Sequence, residues 1–472
     1  MSLRAAINEV LGEGVDPQLV QHTAEVSAGD VFLALADKDA ASRHAQEAIA
    51  SGASCVFSPY DLAGEWSVPV QTIPQLAEDA PAWVAEYYGR PSQQLQVFAV
   101  TGTNGKTSVA YFIADMLQRS GKCSGYIGTL GWGTLDHIVD PNLTTPNMVA
   151  LQRRLRQMQG AGAQGVALEV SSHALDQQRL GEVDINIAIF TNLTRDHLDY
   201  HGDMQAYGAA KMRLFTDWTL QAAVVNVEDP FSEQISAQCQ APLVTYGRSE
   251  NADWYWTRIS DDKIRWSGPD VDFTVPLQAP ADFMLDNLTA ALAALARAGL
   301  AAERLPDLIK TASGVPGRLE VVSRVGQPTV VVDYAHTPDA VEKVLEALRT
   351  GCAGRLICVV GCGGDRDPGK RPQMAAAASR LADEVWLTAD NPRSEAPLDI
   401  ITQMEPGLIR PARIEADRRS AIAGAIAGAT RRDTVLIAGK GHEDYQEING
   451  VRHPFDDRVV AREILDAMEA EI

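Results

Sequence analysis

Thr101-Gly102-Thr103-Asn104-Gly105-Lys106-Thr107-Ser108 follows the apolar run Leu95–Val100 and opens a helical stretch. A near-continuous apolar run of that length reads as a strand covered on both faces. The glycines let backbone N–H groups turn onto phosphate oxygens, Lys106 supplies a point charge, and Thr107 offers a hydroxyl to Mg²⁺. Strand, glycine turn, Lys-Thr and helix in that order read as a phosphate-binding loop of an α/β domain. Only Thr103-Asn104 separates the two glycines, a shorter spacer than kinases and GTPases use, and this weighs against a kinase.

Outward from this loop the α/β pattern continues. Strands are predicted at Gly165–Val170, Ile185–Thr191 and Ala222–Asn226, then at Thr329–Val332, Leu356–Val360, Glu384–Leu387 and Thr434–Ala438. A helix is predicted over Asp339–Arg349. The first ninety or so residues hold shorter apolar runs, Val31–Leu35 and Ser54–Phe57, beside an Ala-rich helical stretch, Ala45–Ala50. Breaks at Gly89-Arg90-Pro91-Ser92 and Gly314-Val315-Pro316-Gly317 divide the chain into 1–92, 93–316 and 317–472. Nearly every strand after residue 95 ends in glycine or polar residues, where open parallel sheets form their ligand crevice. Two sheets with loops so loaded suggest one active site served by two domains.

Glu169 ends a strand just before Ser171-Ser172-His173, which suits a second Mg²⁺ ligand beside Thr107, a satisfied structural carboxylate being the alternative. His197, within Asn192–His201, could be a ligand or a solvated loop residue. Arg366 and Arg393 lie on strand-end loops and offer planar forks to a substrate with more than one carboxylate. Ion pairing with Asp365, Asp367 or Glu395 is the alternative.

Composition bounds the partners. The chain of 472 residues carries 41 Lys plus Arg against 62 Asp plus Glu, a net charge of −21, with no basic run to reverse it. Nucleic acid and anionic membrane are therefore not expected partners. The apolar run Leu288–Ala298 is too short to cross a bilayer and contains Arg297, and Met1–Ala6 lacks the order of an export signal. The six cysteines are dispersed without metal-ligand spacing, so reduced buried thiols and a cytoplasmic location are expected.

Thr101–Ser108, Glu169–Leu175, Thr191–His201 with Lys211 downstream, Asp333–Pro338 and Gly439–Glu443 together resemble the Mur ligases, over essentially the whole chain. Asp390-Asn391-Pro392-Arg393 resembles the member that adds the third peptide residue, meso-diaminopimelate, to UDP-N-acetylmuramoyl-L-alanyl-D-glutamate. The resemblance implies three α/β domains: a smaller N-terminal one for the UDP end of the acceptor, a central mostly parallel one for ATP, and a Rossmann-like C-terminal one for the amino acid. It implies a cytoplasmic monomer that acts on small molecules in peptidoglycan precursor synthesis.

Roles carry over where motifs match. Gly102, Thr103, Asn104, Gly105, Lys106, Thr107 and Ser108 would bind the ATP phosphates, Asn287 the adenine, Asp333 the ribose and Arg318 the γ-phosphate. Thr107 and Glu169 would serve one Mg²⁺, and His197 with Lys211 a second, Lys211 as a CO₂-derived carbamate. From the residues alone, Lys211 reads as an exposed helix lysine. Thr144, Thr145, Ser171, Gln177 and Arg179 would hold the muramoyl dipeptide. Arg366, Asp390, Asn391, Pro392, Arg393, Gly439 and Glu443 would hold diaminopimelate, Arg393 pairing with the far carboxylate that lysine lacks. Lys106, Lys211, Arg318 and His197 would form the catalytic group. Three departures stand out. His22-Thr23-Ala24 replaces the usual Asp-Ser-Arg, although Thr23 keeps a hydroxyl. Lys38-Asp39-Ala40 replaces the usual residues of a loop expected at the uridine end, and Ser108 stands where Thr is common. A lysine-adding ligase, a folylpolyglutamate synthetase and a slow ATPase of regulatory type are the rival readings.

Overall fold

The computed structural model describes residues 2–139, 143–260, 263–277, 281–312, 314–324 and 326–470. Contacts divide the chain into two units, Met1–Pro276 with Asp286–Ala312, and Leu277–Leu285 with Ser313–Ile472.

The first unit holds two sheets. The smaller pairs Leu19–Val20, Val31–Leu33, Cys55–Ser58 and Val70–Thr72 in parallel. Among the described residues the larger has eleven strands. At its centre, Leu243–Gly247, Ala222–Asn226, Ile187–Phe190, Gln96–Thr101, Gly165–Glu169 and Ser124–Gly128 run parallel in that spatial order. Their side chains are sealed on both faces, as the apolar runs require: Val97, Phe98, Ala99 and Val100 have no exposed surface. Trp254–Ser260 adds in parallel beside Leu243–Gly247, and antiparallel strands then finish both margins, Lys263–Gly268 and Val271–Pro276 on one and Gly131–Thr134 with His137–Val139 on the other. Gln96–Thr101 sits in the middle of the parallel run, so the phosphate loop leaves from the centre of the sheet.

The second unit holds a six-stranded sheet in the order Glu320–Val321, Thr329–Asp333, Thr434–Ala438, Leu356–Val360, Glu384–Leu387, Arg413–Ile414, parallel except for the first pair. The predicted strands recur within a few residues at their ends. Pro338 extends the helix expected over Asp339–Arg349 to Pro338–Gly351, because Thr337 caps it and proline is tolerated in the first turn.

Lys38-Asp39-Ala40 is not a loop. Asp37 accepts a hydrogen bond from the Ala40 N–H and caps a helix, Lys38–Ala50, of which those three residues form the first turn. All six cysteines are unpaired; Cys55 and Cys358 are buried, whereas Cys123, Cys239, Cys352 and Cys362 are only partly so. Among the described residues no helix is long and apolar enough to cross a membrane.

One buried ion pair fixes the strand ends of the second unit. Arg418 and Asp457 are fully buried, and Arg418 donates to both Asp457 oxygens at 2.8 and 2.7 Å. The same guanidinium donates to the carbonyls of Ala389 (3.1 Å) and Ala438 (2.9 Å), the residues immediately before Asp390 and Gly439. A lysine cannot reproduce this fork. Arg418→Lys is therefore expected to lower the unfolding free energy by about 2 kcal/mol, read by urea denaturation. A change below about 0.5 kcal/mol, the range of ordinary surface substitutions, would show that the fork is dispensable.

Candidate active site

The phosphate loop is built as its residues require. Gly102 (φ 148°) has no room for a Cβ, which would overlap Thr191 Oγ1, and Gly105 (φ 84°) would place one 2.5 Å from Asn287 Oδ1. Both glycines adopt backbone that other residues resist. Gly105 precedes the helix Lys106–Arg119 without a side-chain cap, which leaves the helix N-terminus to an anion. Lys106 Nζ folds back onto the carbonyls of Gly102 (2.9 Å) and Thr103 (2.8 Å).

The segment after the neighbouring strand supports the loop, a role the sequence reading missed. Thr103 N donates to Asn192 O (2.7 Å), Asn104 N to Asn192 Oδ1 (2.9 Å) and Thr191 Oγ1 to Asn104 O (2.6 Å). Adjacent parallel strands ending in Thr101 and Phe190 explain it, and Thr191-Asn192 at a strand end was the available signal.

Thr107 and Glu169 meet: Thr107 Oγ1 donates to Glu169 Oε2 at 2.9 Å. The Glu169 carboxylate also accepts from Tyr126 Oη, from Thr129 N (2.8 Å) and from Thr129 Oγ1 (3.2 Å). Hydroxyl and carboxylate oxygens fit Mg²⁺, which binds few protein ligands and keeps waters and phosphate oxygens for the rest. No group of three or more His, Cys, Asp or Glu arranged for a metal occurs among the described residues.

Lys211 is 1 % exposed, which corrects its reading as a surface lysine. It falls on the buried face of the helix Met204–Thr216 with Tyr207, Leu214 and Phe215, and Nζ donates to Gly102 O at 2.8 Å. Burial, with the Lys106 ammonium next in weight, pulls its pKa well below the ordinary lysine value. His197 begins the short helix Leu198–His201 in a left-handed conformation (φ 53°). Tyr207 lies between the two residues: Lys211 Nζ is 4.4 Å from its ring centre and the His197 ring 6.2 Å. Tyr207 Oη shares a hydrogen bond of 3.2 Å with Thr103 Oγ1, tying this group to the phosphate loop.

The residues expected at the muramoyl dipeptide form one bonded cluster. Thr145 Oγ1 donates to Glu169 O (2.8 Å) and accepts from Ser171 N (3.1 Å), while Thr144 Oγ1 lies 3.3 Å from Thr129 Oγ1. Arg179 donates to Thr145 O (3.2 Å) and to Gln177 Oε1, at 2.9 Å from Nε. Thr23 instead donates to Glu47 Oε2 (3.0 Å), in the third turn of the helix whose first turn holds Lys38, Asp39 and Ala40. At about 1.5 Å per residue, Thr23 is thus bonded more than about 10 Å along the helix from Lys38-Asp39-Ala40.

In the second unit, Arg318 lies over the Tyr334 ring at 4.7 Å. Asp333 is buried, and burial raises its pKa although its oxygens accept from Leu319 N (2.7 Å) and Ala335 N (2.8 Å). Arg393 pairs with none of Asp365, Asp367 or Glu395. Its Nε donates to Glu447 Oε2 (3.2 Å) and its Nη1 to Gly364 O (2.7 Å), while Glu395 pairs with the buried Arg371. Arg366 is exposed on the loop of Gly364, after Leu356–Val360. Asn391 Nδ2 donates to Glu443 Oε2 at 2.9 Å, and a Cβ on Gly439 would overlap Asp390 Oδ2. Asp390, Asn391, Arg393, Gly439 and Glu443 therefore converge, and Pro392 lies buried between Asn391 and Arg393.

Known proteins resemble this chain in sequence and fold. Residues 100–295 match the Mur ligase middle domain and residues 317–441 the Mur ligase, glutamate ligase domain. A UDP-N-acetylmuramoyl-L-alanyl-D-glutamate–2,6-diaminopimelate ligase from Ectopseudomonas mendocina is 42% identical over 468 residues, covering 96% of each chain. The ligase of that name from Pseudomonas aeruginosa is 44% identical over 461 residues, covering 94% of each. A solved structure of a ligase so named is 36% identical, with a TM-score of 0.70 over 99% of this chain and 100% of that one. The E. coli folate enzyme FolC with ADP, at 20% identity and a TM-score of 0.61 over 83% of this chain and 94% of that one, shares the fold alone. On its sequence, its domains and its α/β architecture, this chain belongs to the Mur ligase family.

Proposed function

We propose that this chain is the ATP-dependent ligase that joins meso-diaminopimelate to UDP-N-acetylmuramoyl-L-alanyl-D-glutamate in peptidoglycan precursor synthesis. The observation that carries the reading is the similarity to ligases of that printed name over 94% and 96% of the chain. The reading keeps three domains, 1–92 for the UDP end, 93–316 for ATP and 317–472 for the amino acid, and a cytoplasmic monomer.

In this mechanism the γ-carboxylate of the acceptor's D-Glu attacks the γ-phosphorus of ATP, and the bond to the β-phosphate oxygen breaks. An acyl phosphate and ADP result. The amine of diaminopimelate then attacks the acyl carbon, phosphate leaves, and the nitrogen gives up its proton. Lys106 and Arg318 are assigned to offset charge on the phosphoryl oxygens. Gly102, Thr103, Asn104, Gly105, Thr107 and Ser108 are assigned to the phosphates, Asn287 to adenine and Asp333 to ribose. Two Mg²⁺ ions, one held by Thr107 and Glu169 and one by His197 with carbamylated Lys211, would supply Lewis acidity at those oxygens. Thr144, Thr145, Ser171, Gln177 and Arg179 hold the dipeptide, and Thr23 with Lys38, Asp39 and Ala40 the uridine end. Arg366, Asp390, Asn391, Pro392, Arg393, Gly439 and Glu443 receive diaminopimelate.

Specificity follows from charge. Lysine lacks the far carboxylate that would add to the Glu447 pairing of Arg393, which is expected to lower kcat/KM by about tenfold or more relative to diaminopimelate. The test is phosphate release from ATP and Mg²⁺ with the acceptor, offering the two amino acids separately. Release that needs acceptor and diaminopimelate together is expected. Equal use of lysine would overturn the specificity reading, and release indifferent to the acceptor would leave an ATPase.

A further inference from the structure

Lys440 follows Gly439 at the end of the strand Thr434–Ala438, and its side chain has no exposed surface. A lysine so buried needs partners for its ammonium. Nζ donates to Glu443 Oε2 (2.9 Å) and Asn391 Oδ1 (3.1 Å) and lies 5.3 Å from the Tyr445 ring centre. Two acceptors and one aromatic face account for its three N–H donors.

Asn391 extends this contact in two directions. Its Nδ2 donates to Glu443 Oε2 (2.9 Å), and its Oδ1 accepts from Glu447 N (2.9 Å) as well as from Lys440. Glu447 in turn accepts from Arg393 twice, Nε to the carboxylate at 3.2 Å and N to the carbonyl at 3.0 Å. One buried ammonium thus joins the loop after Glu384–Leu387, the loop after Thr434–Ala438 and the hairpin strand Tyr445–Ile448. The Glu443 side chain is 19% exposed, so it can meet a ligand that Lys440 cannot reach.

We infer that Lys440 is a positioning residue for the amino-acid substrate, setting Glu443 and Asn391 directly and Arg393 through Glu447. The inference rests on the diaminopimelate reading above. Burial separates it from a binding role, since a group with no exposed surface acts only through its neighbours. A purely structural role predicts a different response. Lys440→Met removes one partner only and leaves the Glu443 carboxylate, which sits on a partly exposed side chain, without its main donor, so its direction is no longer fixed.

The test is full steady-state kinetics of the intact enzyme carrying Lys440→Met, with each substrate varied in turn. KM for meso-diaminopimelate is expected to rise about 10- to 100-fold, while KM for ATP and for the UDP-acceptor stays within about twofold. The preference for diaminopimelate over lysine is expected to fall as well, because Arg393 loses its anchored neighbour. Lys440→Gln, which restores one donor, is expected to lie between wild type and Lys440→Met. A diaminopimelate KM within about threefold of wild type, or a parallel rise in all three KM values, would overturn the inference. Failure of both variants to give folded enzyme would overturn it too, by making Lys440 a residue of the fold. If the wild type itself forms no product with diaminopimelate, the functional reading falls and takes this inference with it.

Discussion

Lys106→Ala should remove acceptor-dependent phosphate release while leaving the fold intact, with kcat lower by about a thousandfold or more. The side chain begins the helix Lys106–Arg119 and folds onto the carbonyls of Gly102 and Thr103, the two residues that shape the phosphate loop. The proposed reaction brings an acceptor carboxylate onto a triphosphate, within a chain whose own net charge is −21. Placed cations must offset that repulsion where it arises. Only charge that acts on the transferring group lowers the barrier, so the loss should appear in kcat more than in KM for ATP. Stability should fall by no more than about 2 kcal/mol, because removing Lys106 deletes two hydrogen bonds to carbonyls at about 1 kcal/mol each, a loss that leaves the chain folded. The check pairs a phosphate-release assay with a melting curve. A variant that melts like wild type and keeps a tenth or so of its kcat would sink the assignment of the loop to ATP.

That loop was legible in sequence because everything it needs is local. Gly102, Gly105, Lys106 and Thr107 lie within six consecutive residues, between a strand and a helix that each have their own periodicity. The Thr107–Glu169 contact was legible for a related reason: Glu169 ends the strand that pairs with Gln96–Thr101, and Thr107 opens the helix that follows that strand's loop, so the two meet at the strand ends. Lys211 was not. It sits four residues after Tyr207 and three before Leu214, in the middle of the buried face of its helix. A lysine inside an apolar stripe was the signal, and polarity alone argued the other way. Lys38-Asp39-Ala40 was misread for want of a cap: Asp37 stops the chain before a helix that Ala45–Ala50 suggested only in part. Lys440 lay in a glycine-rich loop and gave no sign that it would be wholly enclosed. Its partners Asn391, Glu443 and Tyr445 come together only when separate strand-end loops fold against one another.

Lys211→Met should abolish most activity and also remove a pH dependence of stability from protein prepared free of CO₂. The two effects have one physical cause. Burial, and after it the Lys106 ammonium, draws the Lys211 pKa well below its ordinary value of 10.5. A neutral amine adds CO₂ and releases a proton to give a carbamate; a protonated one cannot. Carbamylation would then turn a buried neutral amine, which offers no charge to a cation, into a carboxylate-like ligand beside Gly102, which is why kcat is expected to fall about a hundredfold or more without it. The sign of the stability effect is fixed by linkage. Between the lowered folded pKa and 10.5 the unfolded chain binds the extra proton, so the CO₂-free wild type gains stability as pH rises through that window. Below the folded pKa both states are protonated and the slope from this group vanishes. Lys211→Met has no such group, so its urea midpoint should lack this rise with pH, and ¹³C-bicarbonate should yield a carbamate signal in wild type alone. Parallel slopes in the two proteins would refute the buried neutral amine, whereas a variant of nearly full activity would refute the carbamate's part in the reaction. The two failures are separable, because the slope reads the amine before CO₂ arrives and kcat reads what the amine becomes afterwards.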